Sequence, residues 1–194
     1  MMIARNIRAD FAKILSGYGF YVCILFTSIL CFATYIYEDE DNGNKYSVFR
    51  SFISFDREYM LNNTMFCSFD IIRRGTGSWL FLFIPIIAAF SFVPLVCDEY
   101  EARSVRFEVF RSTKLCYYGS RFITACLCGG FSIMLGFLLF MCVVHVLFPF
   151  IGDYNLELRS EYKDMLEMIN INISGSAYVM TVVKKMGEMF LYGA

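Results

Sequence analysis

Charge is scarce in this chain. Only 18% of its 194 residues are Asp, Glu, Lys or Arg, against about 25% in ordinary soluble domains. Acids and bases nearly cancel at a formal net charge of −1. That leaves no electrostatic case for nucleic acid, which needs a clustered basic surface. Histidine occurs once, as His145, and proline three times. No second His or carboxylate lies within the apolar runs to complete a metal site or a proton relay, and no nucleophile–base spacing is visible. No CxxC pair exists among the eight cysteines. Seven of them (Cys23, Cys31, Cys97, Cys116, Cys126, Cys128 and Cys142) sit in or beside apolar runs, where cysteine packs as a small hydrophobe. A GxxxxGK[ST] phosphate loop is also missing, so the chain lacks the motif with which P-loop proteins hold ATP.

What is abundant is apolar surface, at 58% hydrophobic and 19% aromatic residues, and it is gathered in blocks. About 20 apolar residues make a helix long enough to cross the hydrocarbon of a bilayer. Three runs qualify: 18–37, 79–97 and 122–150, the last interrupted by Gly129-Gly130. Pro85 and Pro94 fall inside the second and predict a kinked or loosened helix. The expected class is an all-α integral membrane protein with at least three transmembrane helices and an interfacial N-terminal helix. Nothing in the sequence looks like a free-standing soluble enzyme.

Lys and Arg density sets the expected orientation. Residues 1–17 and 98–121 carry Arg5, Arg8, Lys13, Arg103, Arg106, Arg111, Lys114 and Arg121, roughly twice the density of 38–78 and 151–194. The N-terminus and the 98–121 loop are therefore expected on the cytoplasmic side of a cell (plasma or inner) membrane, with loop 38–78 outside. Arg73-Arg74, just before the second run, is the main contrary signal. A cleaved signal peptide needs an apolar core of about 7–15 residues, and the first run exceeds that, so an anchor is expected.

Residues 1–16 read as an amphipathic helix, with Ile3, Ile7, Phe11, Ile14 and Leu15 at helical spacing. Such a helix either lies in the headgroup plane or extends the first span, and Gly17 and Gly19 allow both. Within loop 38–78, Phe49, Phe52, Phe55 and Tyr59 suit one face of a short packing helix. The tail 151–194 is polar and then apolar around Lys184-Lys185 and Glu188. It reads as an extracytoplasmic tail, a surface helix, the lead into a further span, or the end of a truncated chain.

The 98–121 segment is too short for a domain. Its acids come first, and its bases are interleaved with Val105, Phe107, Val109 and Phe110, so it suits either a helix docking in a partner's groove or a solvated turn whose bases enforce topology. Here the sequence resembles the permease subunit of an ABC-2 type ATP-binding cassette exporter. The likeness rests on Ile7 through Leu15 ahead of the first span, and on Asp98 through Arg106, Arg111-Ser112 and Tyr117 through Arg121. It departs from the family's loop pattern at Arg103-Ser104, where Gly-Thr is usual, and at Arg121, where Lys is usual. Three spans are evident here, against the family's usual six.

The resemblance implies that residues 100–115 form a coupling helix, with Glu99, Glu101, Arg103, Arg106, Phe107, Phe110 and Arg111 contacting a separate ATPase subunit. It also implies that a second permease half, identical or different, joins this one to enclose the path. The chain itself would need no cofactor, since ATP binds the partner. The competing expectation is a non-transporting membrane interaction, assembly or immunity protein.

Overall fold

The computed structural model describes residues 2–38, 44–101, 114–150, 153–154, 160 and 175–194. The fold is helical, with one small hairpin. Helix α1 (Met2–Ser16) is followed by α2 (Tyr18–Phe32), the strands β1 (Tyr35–Glu38) and β2 (Lys45–Ser47), and the short helices α3 (Val48–Ser54), α4 (Arg57–Asn62) and α5 (Ser68–Arg74). The long helices α6 (Ser78–Glu101) and α7 (Lys114–Leu147) follow, then α8 (Gly175–Gly193).

Two helices are long and apolar enough to cross a membrane, over Trp79–Glu101 and Tyr117–Leu147. The pair Ile7–Ser16 and Tyr18–Phe32, bent by 67°, would make a third if it counts as one span. The first apolar run was expected to be helical through residue 37, but α2 stops at Phe32. Thr34 turns the chain there. Its hydroxyl lies 3.4 Å from the carbonyl oxygens of Leu30 and Gly75, and its own carbonyl accepts from the Val48 amide at 3.0 Å. Tyr35-Ile36-Tyr37, rich in strand-forming residues, pairs antiparallel with Lys45–Ser47 in place of a last helical turn. At 15 residues α2 alone falls short of the usual crossing length.

Helix α6 runs unbroken through both prolines. Helix α7 begins eight residues before its apolar run and passes straight through Gly129-Gly130. Those glycines permit contact. A Cβ on Gly129 would sit 2.4 Å from the Gly193 carbonyl oxygen, and one on Gly130 would sit 2.7 Å from that of Phe190. Small residues let helix backbones approach in this way where the surroundings are apolar.

The chain divides into two compact units. One comprises Met1–Thr27, Phe83–Phe137 and Gly187–Ala194. Its apolar centre joins Ile14, Phe20 and Cys128, packed by Phe11, Ile24, Phe92 and Phe131. Hydroxyls within its helices donate back to carbonyls one turn earlier, Thr27 to Cys23 at 2.8 Å and Thr124 to Ser120 at 2.8 Å. This satisfies them without water.

The other unit comprises Ser28–Leu82 and Leu138–Met186. The single aromatic helix expected there is two. Asp56 caps α4 by accepting from the Arg57 amide at 2.8 Å, which leaves Phe55 in the break. Phe55 stacks on Tyr59 at 4.9 Å between ring centroids and also packs on Tyr46, Tyr37 and Phe66. Phe49, Phe52 and Ile53 on α3 remain exposed. Cys67, which sits in a polar stretch of sequence, is fully buried.

Candidate functional site

Three charged side chains are buried together in the first unit. Each lies on the stripe that its helix turns inward. On α7 the buried positions Tyr117, Arg121, Thr124 and Cys128 recur at spacings of three and four, the signature of one helical face. On α6 the same spacing joins Ile87 and Ser91 to Glu99, with Leu95 half-buried between them. On α1 it joins Asp10 to Ile14. A charge on such a stripe cannot reach bulk water and must find a partner, because isolated burial of an ion costs several kcal/mol.

Arg121 is the hub. One guanidinium nitrogen, Nη2, donates to Glu99 Oε2, and Nε lies 3.5 Å from Asp10 Oδ2. The guanidinium carbon sits 5.3 Å from the centre of the Tyr117 ring, within cation–π range. Lys13, at the half-exposed edge, donates to the other Glu99 oxygen, Oε1, at 2.8 Å. Among the described residues, two carboxylates thus face two cations. Asp10, Glu99 and Arg121 are 5%, 7% and 8% exposed, so water screens these pairs little. Arginine suits the hub because its planar fork can engage two carboxylates along different edges.

The cluster ties three elements at defined places: the middle of α1, the last turn of α6 and the second turn of α7. The last two belong to the helices that flank residues 102–113, and Arg121 joins those helices by its contact with Glu99. Of the residues expected to contact a partner, Glu99 and Glu101 are described. Glu101 is exposed at the end of α6, whereas Glu99 points inward and is held by Lys13 and Arg121. That geometry suits Glu99 to positioning its neighbours, with no surface to offer a docked protein. Arg103, Arg106, Phe107, Phe110 and Arg111 lie outside the described residues.

The sequence reading of this helix rests on Ile3, Ile7, Phe11, Ile14 and Leu15 and misses Asp10, which is buried. The signal was present: Ile7, Asp10 and Ile14 are spaced three and four apart, so a carboxylate sits within the apolar stripe. The sequence singles out Arg121 for its share in the basic density of 98–121 and for its place in a loop pattern. Its own helix begins at Lys114, which puts it inside a helix and not at the end of a loop.

No group of three or more His, Cys, Asp or Glu side chains placed to hold a metal occurs among the described residues. His145 is exposed, its ring 5.3 Å from that of Phe150. Against family profiles, characterised proteins and solved structures, the chain gives no match.

Proposed function

We propose that this chain is a permease subunit of an ABC-2 type exporter, transmitting ATP hydrolysis on a separate ATPase subunit to a translocation path shared with a second permease half. One observation supports this reading above the others: Asp10, Glu99 and Arg121 bind the N-terminal helix to α6 and α7, the two helices that flank residues 102–113. A short segment can relay a push only if its ends are fixed to the elements that must move. Buried, charge-compensated contacts resist displacement more than solvated ones, because separating them leaves charges without partners.

In this reading α1 is the interfacial helix, and its 67° bend at Gly17 turns the chain from the headgroup plane into the membrane. The bent pair, α6 and α7 make three spans, with the N-terminus and residues 102–113 on the cytoplasmic side of the cell membrane. Glu101, Arg103, Arg106, Phe107, Phe110 and Arg111 meet the ATPase, Phe107 and Phe110 as apolar knobs and the arginines as the charged rim. Glu99 acts behind them by fixing the end of α6. Lys184 and Lys185 make α8 costly to place at mid-membrane, so α8 is left outside the three spans.

The test is capture of the ATPase. The full-length tagged chain, purified from its native membranes, should carry a protein containing a GxxxxGK[ST] loop. Replacing Phe107 and Phe110 together by Asp should reduce that capture at least about tenfold, the expectation for loss of two central apolar anchors. Undiminished capture by the double variant contradicts the coupling assignment. Absence of any such ATPase from the unaltered chain favours a non-transporting membrane interaction protein.

A further inference from the structure

Arg73 and Arg74 run against the charge rule that orients the chain, and the ion cluster makes no use of them. They close α5 and, with Thr34, Tyr35, Thr76 and Trp79, line a pocket of about 420 Å³ within the second unit. Two guanidiniums here share one carboxylate. Arg74 Nη2 lies 3.4 Å from Asp70 Oδ2 and Nη1 donates to the Ile36 carbonyl at 3.2 Å, whereas Arg73 Nε only approaches Asp70 at 3.9 Å. Asp70 is buried behind them. Among the described residues, two cations in this cluster therefore share one acid, and guanidinium N–H groups remain beyond the contacts to Asp70 and Ile36, since each fork carries five donors.

The rim places the pocket relative to lipid. Trp79 opens the stretch of α6, Trp79–Glu101, that is long and apolar enough to cross a membrane. It is 46% exposed, and Tyr35 beside it is 52% exposed. Trp and Tyr favour the headgroup level at both membrane surfaces. Gly77 keeps the wall thin: a Cβ there would sit 2.5 Å from the Thr34 methyl group.

We propose that this pocket binds the phosphate of an anionic phospholipid, with Arg73 and Arg74 on the phosphate oxygens and the Trp79 and Tyr35 rings against the glycerol and upper acyl region. Arginine's fork matches a phosphate through two parallel N–H···O bonds. A lipid in this place also accounts for a double arginine on a side where basic residues are otherwise sparse.

The experiment is native mass spectrometry of the full chain released from nanodiscs holding equal amounts of phosphatidylglycerol and phosphatidylcholine. Arg73→Gln is the decisive variant, because Arg74 also braces the hairpin through Ile36. The unaltered chain should retain phosphatidylglycerol about tenfold better than phosphatidylcholine. Arg73→Gln should cut that preference to about twofold or less with helicity by circular dichroism unchanged, and Arg73→Lys should keep part of it. Equal retention of the two lipids by the unaltered chain, or an undiminished preference in Arg73→Gln, overturns the proposal. Displacement of the bound lipid by millimolar inorganic phosphate overturns the lipid assignment in favour of a free phosphate ligand.

Discussion

Asp10, Glu99 and Arg121 are all less exposed than Leu15 or Leu115 of the same unit. In the other unit Asp70 is the one buried charge among the described residues, and Phe66, Phe69, Phe140 and Phe148 fill the interior. The difference lies in tolerance. A ring accepts many neighbours, and Phe55 contacts Tyr37, Tyr46, Tyr59 and Phe66 at centroid distances from 4.9 to 5.8 Å in stacked, tilted and edge-on arrangements. A buried ion needs a counter-ion or hydrogen-bond partner in a fixed direction. The first unit therefore holds its helices in a more sharply specified arrangement.

That contrast can be broken by substitution. Arg121→Met should show the largest effect, about 3–5 kcal/mol of lost stability, because it leaves two carboxylates buried beside the half-exposed Lys13. Phe66→Ala, at a fully buried ring of the second unit, should cost a similar ~3–5 kcal/mol through the cavity it leaves. What separates the two is rescue. Replacing Asp10, Glu99 and Arg121 together by Leu, Met and Met should restore stability to within about 1 kcal/mol, since apolar groups of similar volume often substitute for a buried ion cluster at no net loss. Thermal unfolding of the full chain in lipid would measure all three. A triple variant as unstable as Arg121→Met would mean that packing, not charge, dominates the site.

Smaller effects sharpen the packing side of the comparison. Gly129→Ala should cost about 1–3 kcal/mol, because its Cβ would meet the Gly193 carbonyl oxygen at 2.4 Å. Gly119→Ala, in the same helix but with nothing within 4 Å of the added Cβ, should be neutral or stabilise by up to about 1 kcal/mol. Chemical unfolding of both variants separates tight approach from helix propensity. Equal destabilisation by the two would remove the argument for close backbone contact at Gly129.

Much of this was legible in the sequence, and what was not has physical causes. The two long helices follow from apolar runs free of Asp, Glu, Lys and Arg, since a backbone in hydrocarbon must satisfy its own hydrogen bonds. Their ends were misplaced because polar residues extend a helix beyond its apolar stretch, as Lys114 through Arg121 do for α7. The hairpin was hidden because Tyr35-Ile36-Tyr37 is as apolar as the helix before it, and Thr34 acts through contacts with Gly75 and Val48, distant or across the hairpin in sequence. Glu99 was picked out for its place in the charged segment, but its direction depends on Arg121, 22 residues later. Asp10 lies on the wrong face for an exposed acid, and its contact with Arg121 helps explain why that face tolerates it.

The most direct test of the ion cluster as the tie between α6 and α7 is a double-mutant cycle across Glu99 and Arg121, using Glu99→Gln, Arg121→Met and the two combined. Unfolding of the full chain in lipid should give a coupling of about 1–3 kcal/mol, with the double variant more stable than the sum of the single losses requires. Additivity within about 0.5 kcal/mol would contradict the account, because it would mean that Arg121 holds the end of α6 no more firmly than any other neighbour.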